Sequence, residues 1–306
     1  LELLDLSHTA YVAHAEPFTV QKLDCLDLPD GLNRLRTLLL SGNRFSEFAF
    51  LERLPQLDTL DLSDNRITDL AFLDRLNGLT SLNLSGNPLD KSSTLRFPDS
   101  LTELRLRSTS ITDLSFLAEL PRLQRLDLSY NPVDHPVTQY LHPTTLPGFL
   151  ELELQGTELS DVSFLAEMPS VQTLDLSHYL LGDDVDLSAL GSFNQLELLK
   201  LSGNAIGDST DFTHLRRAEN LRILDLNNTG LTSVDFLEGM GSISELNLRN
   251  NALETLVLPT GLTGLTALDL SENELTEFVI TEPIETLTRL ILRWNSLRHV
   301  ELPRGL

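Results

Sequence analysis

Cysteine is almost absent from this chain, which limits how the fold can be held together. Cys25 is the single cysteine in 306 residues, so no disulfide can form within the chain. Because disulfides are characteristic of oxidising compartments, their absence leaves two settings open. A cytosolic protein and a bacterial extracellular protein fit the composition equally well.

Positive charge is also scarce. The chain has 22 Lys and Arg against 45 Asp and Glu, which gives a net charge of −23. Proteins that bind nucleic acid through phosphate contacts need a basic surface, and anionic membranes attract basic segments. No apolar run approaches the ~18 residues that a membrane-spanning helix needs. The composition therefore predicts neither nucleic-acid binding nor membrane insertion.

The common motifs of catalysis and metal binding are missing as well. The sequence has no Gly-x-Ser-x-Gly, no phosphate loop ending in Gly-Lys-Ser/Thr and no His-Glu-x-x-His. His135 and His142 lie seven residues apart without a nearby cysteine, which is a weak pattern for a metal pair. We predict no enzyme activity, no cofactor and no metal site within these residues.

A repeated phrase dominates what is present. It reads Leu-x-Leu-x-x-Asn, with Thr in place of Asn in some copies, and its commonest spacing is 22 residues. The phrase ends at Asn43, Asn65, Asn87, Thr109, Asn131, Thr157, Tyr179 (degenerate), Asn204, Thr229, Asn251, Asn273 and Asn295. A fixed period in this range indicates a solenoid of stacked repeats.

The clearest copy of the full unit spans residues 57–76. Its defining residues are Leu57, Leu60, Leu62, Asn65 and Ile67. This pattern resembles the leucine-rich repeat family in its 22-residue subclass, which includes bacterial internalin-like proteins and the phosphatase-regulatory-subunit type. The resemblance covers nearly the whole chain. It implies an α/β fold, a leucine-rich repeat solenoid curved like a horseshoe. A parallel sheet forms the concave side, with short 3-10 or α helices and extended segments on the convex side.

The phrase assigns a role to each of its positions. The Leu-x-Leu segment alternates apolar and polar residues, so its leucines should enter the core while the residue between them points to the concave face. The Asn, and in part the Thr, should satisfy backbone groups where the strand ends. A column of phenylalanines seven residues later predicts aromatic stacking in the convex half of the core: Phe50, Phe72, Phe116, Phe164 and Phe236.

Several segments depart from the regular repeat. We predict one array of about 13 turns over residues 1–306, interrupted by an irregular segment at 9–21, a loop insertion at 132–148, and longer, helical turns at 181–195 and 207–220. Residues 208–220 are the best candidate for a true helix, and the Pro-x-Gly-Leu segments at 26–32 and 256–262 predict extended backbone. Both ends of the chain fall in mid-repeat, so we expect a fragment of a longer protein.

Charged residues on the concave face are candidates for partner binding. Lys200 lies in the predicted register between Asp175 and Asp225, which favours a charge ladder across neighbouring strands. Asp127, Glu153 and Asp175 form a like-charged run, which instead favours a basic partner surface or a bound cation. Both interpretations stay open at this stage.

Two clusters combine arginine with an aromatic residue, the residue types that dominate interface hot spots. The first consists of Arg105, Arg107 and Arg125 with Tyr130, and the second of Arg249, Arg289 and Arg293 with Trp294. Trp294 is the only tryptophan in the sequence, and the alternative is that it packs beneath a following repeat. The predicted partner-binding residues are Arg105, Arg107, Arg125, Asp127, Tyr130, Glu153, Asp175, His178, Arg249, Arg289, Arg293 and Trp294.

Together with the resemblance, these features predict a non-catalytic, monomeric module that binds a protein ligand through its concave face. The acidic run favours a basic ligand. Two alternatives remain: a regulatory or targeting segment of a larger multidomain enzyme, such as a Roco-type GTPase or a bacterial effector, and a carbohydrate-binding adhesin. The internalin-like pattern without cysteine-stapled caps favours a bacterial secreted or cell-surface location over the cytoplasm.

Overall fold

The computed structural model describes residues 1–12, 20–89, 95–133, 140–142, 146–157, 162–178, 181, 186–208 and 210–304. The chain divides into two compact units, which we call unit 1 (residues 1–149) and unit 2 (residues 150–306). The expectation of a single array concerns how these units join, and it stays a prediction.

Unit 1 is a solenoid in which each repeat contributes one short strand to a parallel sheet. Its described strands are β1 Leu3–Asp5, β2 Ala10–Val12, β3 Val20–Lys22, β4 Thr37–Leu39, β5 Thr59–Asp61, β6 Ser81–Asn83, β7 Glu103–Arg105 and β8 Arg125–Asp127. The parallel sheet has the order β1-β4-β5-β6-β7-β8. Strands β2 and β3 form a separate antiparallel hairpin, within the segment predicted to be irregular.

Unit 2 continues the same architecture and adds a second sheet. Its strands are β9 Glu151–Glu153, β10 Thr173–Asp175, β11 Leu198–Lys200, β12 Ile223–Asp225, β13 Glu245–Asn247, β14 Thr255–Val257, β15 Ala267–Asp269, β16 Glu277–Val279, β17 Arg289–Ile291 and β18 His299–Glu301. The main sheet has the order β9-β10-β11-β12-β13-β15-β17, and β14-β16-β18 form a parallel sheet of their own. The predicted parallel-sheet solenoid is confirmed.

Strand register follows the leucine phrase. Leu38, Leu60 and Leu82 are partners across β4, β5 and β6, and each is at most 1% exposed. Burying a leucine side chain stabilises the fold by about 1.5–3 kcal/mol. The hydrophobic effect therefore fixes which residues enter the core, and the alternation of the strand sends the residue between two leucines to the other face.

The asparagine that ends each phrase forms a ladder between repeats. The Asn65 side-chain amide donates to the carbonyls of Leu62 and Leu40, both at 3.0 Å. Its Oδ1 accepts from the backbone N–H of Phe45, also at 3.0 Å. A buried amide can thus satisfy backbone groups of two repeats at once. Thr109 performs part of this role, as the sequence predicted, since its hydroxyl donates to the backbone carbonyl of Leu106.

The residue directly before the ladder position has a left-handed backbone in every described repeat, with φ between +51° and +70°. We call this set the left-handed column. Its members are His8, Gly42, Asp64, Gly86, Ser108 and Tyr130 in unit 1, and Gly156, His178, Gly203, Asn228, Asn250, Glu272 and Trp294 in unit 2. In most members the conformation aims the backbone N–H at a carbonyl of the next repeat, as in Asn250 N–H to Ser271 at 2.9 Å.

The side opposite the main sheets carries short helices, and every helix in the described part of the chain is 3-10. They span Ala49–Arg53, Ala71–Arg75, Ser115–Glu119, Ser163–Glu167, Ser188–Ser192, Phe212–Arg217 and Asp235–Leu237. The expectation of a true α-helix at 208–220 was therefore wrong. A 3-10 helix rises about 2.0 Å per residue against 1.5 Å in an α-helix, so it crosses one repeat with fewer residues.

The extended segment predicted at 256–262 overlaps β14, which begins the second sheet of unit 2. The sequence did not reveal that β16 would join it, because its segment lacks the Pro-x-Gly-Leu signal, whereas the segment of β18 is followed by the same signal at residues 303–306. The corresponding segment at 26–32 contains no strand.

Phenylalanine stacking is present, but with different partners from those expected. Phe72 stacks on Phe48 with ring centroids 4.2 Å apart, and Phe236 stacks on Phe212 at 4.6 Å. Neither Phe48 nor Phe212 belongs to the column that the sequence defined. The repeat period identified one ring of each pair, and the other comes from a position that the period does not mark.

Some predictions fall outside the described residues. These include His135 and Tyr179, residues 13–19 of the irregular segment, most of the 132–148 insertion, and residues 182–185 and 209 of the longer turns.

Candidate functional site

The residues between and just after the strand leucines form a continuous surface on each main sheet, which we call the open face of that unit. Side chains reach it from the first and third residues of each strand, from the second residue after the strand, and from the left-handed column. All twelve predicted partner-binding residues occupy these positions. The observed register agrees with the predicted one within each unit.

In unit 1 the structure brings five predicted residues together on β7 and β8 and in the turns after them. The guanidinium carbon of Arg107 lies 4.3 Å from the centre of the Tyr130 ring, which is cation–π distance. Tyr130 is 41% exposed, and Arg125 is exposed beside it on β8. Arg105 and Asp127 are register partners on β7 and β8, and Arg105 forms an ion pair with Glu103 of its own strand.

Most acidic residues at the third strand position have a structural task that sequence reasoning missed. One carboxylate oxygen of Asp127 accepts the backbone N–H of Ser129 at 2.8 Å, and Asp175 does the same with Ser177 at 2.9 Å. This side-chain turn ends the strand. Asp127 is 8% exposed and Asp175 is 6% exposed, so neither carboxylate offers much surface to a partner.

The first strands of unit 2 hold the other acidic candidates. Glu153 and Asp175 are register partners on β9 and β10. The Lys200 ammonium lies 3.2 Å from Asp175, so this step of the predicted charge ladder is confirmed. His178 is exposed in the left-handed column, and its ring fills the space where a side chain at Gly203 would lie. Little of the predicted acidic run is therefore left without an internal partner.

At the other end of the main sheet in unit 2, three predicted arginines lie on the same face as the single tryptophan. Trp294 is 70% exposed. The Arg249 guanidinium carbon lies 5.9 Å from its ring centre, and a 2.6 Å bond to Glu272 holds Arg249 in place. The hydrogen bond from Arg249 to this carboxylate raises the pKa of Arg249 above its ordinary value. Arg289 and Arg293 are exposed on and just after β17.

Both exposed aromatic residues occupy strained backbone. The φ angle is +56° at Tyr130 and +52° at Trp294. Bulky side chains rarely adopt this region, and holding one there costs on the order of 1–3 kcal/mol. Six other members of the column are glycine or asparagine, which adopt it readily, and the remaining five are His8, Asp64, Ser108, His178 and Glu272, none of which is as large as tyrosine or tryptophan. Strain maintained for an exposed aromatic ring points to a use outside the fold.

A shallow hollow of about 350 Å³ opens on the open face of unit 2 between β11 and β17. It forms where the small side chain of Ala267 lies among longer neighbours, including Ile223 and Ile291. Asp225 and Asp269 contribute carboxylates to it. The signal in the sequence was the alanine at a position that elsewhere holds larger residues.

Asp225 is the acidic group in this hollow with the clearest electrostatic cost. Burial raises its pKa above the ordinary value, despite a hydrogen bond from the N–H of Asn227 that acts in the opposite direction. A raised folded-state pKa means that the folded chain binds this proton more tightly than the unfolded chain. The stability that the protonated Asp225 side chain contributes is therefore lost as the pH rises from the ordinary carboxyl pKa through the raised pKa of the folded state.

We expect Asp225→Asn to raise the melting temperature at pH 7 and to increase the unfolding free energy by less than about 1 kcal/mol. Asparagine keeps the acceptor for the turn, as Asn247 does for Arg249, and it removes the buried charge. Thermal melts from pH 3 to pH 8 check this. The gain should shrink as the pH falls, whereas a gain that grew at low pH would contradict the assignment.

The described part of the chain lacks two further features. No helix there has both the length and the apolar character to cross a membrane. No group of three or more His, Cys, Asp and Glu side chains there is arranged to hold a metal ion.

Comparison with known proteins gives matches of sequence pattern and of fold. The family profile described as leucine-rich repeats (two copies) matches residues 33–75, 55–96 and 99–136. An internalin of Listeria monocytogenes has a TM-score of 0.60 at 21% identity, over 89% of this chain and 81% of its own. No curated protein matches the chain in sequence.

Two similar solved structures are complexes. The Toll–Spatzle complex from Drosophila aligns with a TM-score of 0.59 at 18% identity, over 86% of this chain and 41% of that one. The TLR13–ssRNA13 complex aligns with a TM-score of 0.61 at 25% identity, over 81% and 38%. The chain thus spans less than half the length of these two proteins, one solved with a protein partner and one with single-stranded RNA.

Proposed function

We propose that this chain, a leucine-rich repeat protein, binds a protein partner through the open face of unit 2, around Trp294. This is the face expected to be concave. The observation that carries the proposal is an exposed tryptophan held in strained, left-handed backbone with an arginine against its ring.

The energetics of interfaces favour this assignment. Tryptophan, tyrosine and arginine dominate the residues whose truncation costs most binding energy. The asparagine ladder fixes the backbone that carries Trp294, since the half-buried Asn295 beside it donates to the carbonyl of Leu270 at 2.8 Å. A surface that is already ordered loses little conformational entropy on binding. The fold can therefore direct most of the contact energy into affinity.

The cluster of Arg107 and Tyr130 is a second candidate contact surface, on unit 1. It has the same combination of an exposed ring, a left-handed backbone and an arginine over the ring. We exclude Asp127 and Asp175 from the proposed contact residues, because both are buried and hydrogen-bonded within the fold.

Binding is favoured over the other functions weighed for this chain. The net charge of −23 disfavours RNA as the ligand, since phosphate contacts need a basic surface. A carbohydrate-binding face would use several exposed rings, whereas Tyr130 and Trp294 are the large aromatic residues exposed among those described. The Roco-type or effector context, the 22-residue subclass, the monomeric state and a bacterial secreted or surface location remain proposals.

Peptide selection tests the proposal without a known partner. A phage-displayed library of random 12-residue peptides is selected on the whole chain, and the affinity of enriched peptides is measured by calorimetry. We expect Trp294→Ala to weaken the best peptides by about tenfold or more. A matched control is Val257→Thr, which alters another exposed apolar residue on the second sheet. Equal affinity for both variants, or no enrichment at all, would count against the proposal.

A further inference from the structure

Strand β17 and the turn after it present a short basic and apolar surface, which we call the β17 strip. It consists of Arg289, Ile291, Arg293 and Trp294. Arg289 and Ile291 lie on the open face as alternate residues of the strand, and Arg293 and Trp294 follow at the positions after it. Ile291 thus has an arginine two residues before it and another two residues after it, and the ring of Trp294 beside them is 70% exposed. Such a basic surface is unusual in a chain whose net charge is −23.

The two arginines of the strip differ from Arg249 in how well the protein itself neutralises them. Arg249 has Glu272 at 2.6 Å. The nearest carboxylate oxygen to Arg289 is that of Glu245, at 3.9 Å, which is the outer limit of an ion pair. The Arg293 side chain has no hydrogen-bond or ion-pair partner among the described residues. Two guanidinium groups are therefore available to carboxylates from outside.

Resting on the proposed function, we propose that the β17 strip binds an acidic segment of the partner protein, one that carries Asp or Glu together with an apolar side chain. The carboxylates pair with Arg289 and Arg293, where the planar guanidinium matches a carboxylate in two hydrogen bonds. The apolar side chain covers Ile291 and the face of Trp294. A basic segment would meet like charge at both ends of the strip, which costs binding energy and excludes such partners.

This assignment reverses the basic ligand that the sequence favoured. That expectation relied on the run of Asp127, Glu153 and Asp175, and the structure commits Asp127 and Asp175 to the turns that end their strands. The acidic residues of the open face are mostly bonded within the fold, whereas in the β17 strip Arg289 reaches a carboxylate only at the outer limit of an ion pair and Arg293 has no partner among the described residues. The charged side chains that remain unpaired, rather than the total charge of the chain, determine which partner this surface binds.

The test uses the same 12-residue library and the enriched peptides whose affinity depends on Trp294. We expect these peptides to be rich in Asp and Glu with at least one large apolar residue. The double change Arg289→Glu with Arg293→Glu should weaken them by at least about 100-fold, and raising the salt concentration should weaken the wild-type complex. The matched control is Arg298→Glu, an exposed arginine in the same repeat that precedes β18.

A charge swap makes the result independent of any loss of folding. Peptides with their Glu residues changed to Lys should regain affinity for the double variant and lose it for the wild-type chain. Trp294-dependent peptides that are neutral or basic, or that bind the double variant within about threefold of wild type, would overturn the acidic partner and leave the proposed function standing. Failure to find Trp294-dependent peptides would remove both.

Discussion

Changing Asn131 to alanine is expected to lower the unfolding free energy by about 3 kcal/mol or more. The Asn131 amide donates to the carbonyls of Leu106 and Leu128 at 2.7 and 2.9 Å. Its Oδ1 accepts the backbone N–H groups of Thr109 and Ile111 at 2.9 and 3.2 Å. With Asn131 only 1% exposed, water cannot replace these bonds easily, and each buried group left unpaired costs about 1–3 kcal/mol.

Urea unfolding followed by circular dichroism checks this prediction, with Asn83→Ala as the matched control. Asn83 lies on the open face and is half-buried; its Oδ1 accepts the N–H of Ser85 and its amide donates to Asp61, and because water can reach these groups its loss should cost less than about 1 kcal/mol. Asn131→Thr should fall between the two, because Thr109 and Thr229 already serve in the ladder. If Asn131→Ala and Asn83→Ala were equally mild, the ladder would not be the structural support that we assign to it.

The second large effect separates stability from binding at one position. Trp294→Asn should leave the melting temperature unchanged or raise it, while the affinity for Trp294-dependent peptides falls by about 30-fold or more. Asparagine adopts left-handed backbone more readily than a bulky aromatic residue, and Asn228 and Asn250 do so at the same position of other repeats. The substitution removes strain together with the contact surface.

Thermal melts and calorimetry on the same preparation measure both quantities. Val257→Thr again serves as the control for loss of an exposed apolar side chain, and it should change neither quantity much. A clear drop in melting temperature for Trp294→Asn would mean that the indole ring supports the fold. In that case the strain argument for a binding role would fail.

The sequence was most informative where one physical rule acts in every repeat. Leu60 and Asn65 are predictable because burial and backbone hydrogen bonding make the same demand at each turn of the solenoid. The left-handed column obeys an equally regular rule, yet it was missed. Its positions hold residues as different as Gly203, Asp64 and Trp294, so backbone conformation rather than residue type defines them.

The candidate site was only partly predictable, because its chemistry depends on which groups the fold leaves unpaired. The sequence identified Arg293 and Asp175 alike as charged residues on the predicted concave face. It could not tell that Asp175 would accept the N–H of Ser177, while Arg293 would keep its side chain available. Such differences depend on distances of a few tenths of an ångström, which periodicity does not encode.

The emission spectrum of Trp294 tests the central claim most directly, since this is the single tryptophan in the chain. An indole that moves from water into an interface emits at shorter wavelength because the surrounding dipoles relax less. The account predicts a blue shift that saturates with the concentration of a selected peptide, at the affinity measured by calorimetry. A peptide that binds at full affinity and leaves the spectrum unchanged would place the binding surface elsewhere and contradict the account.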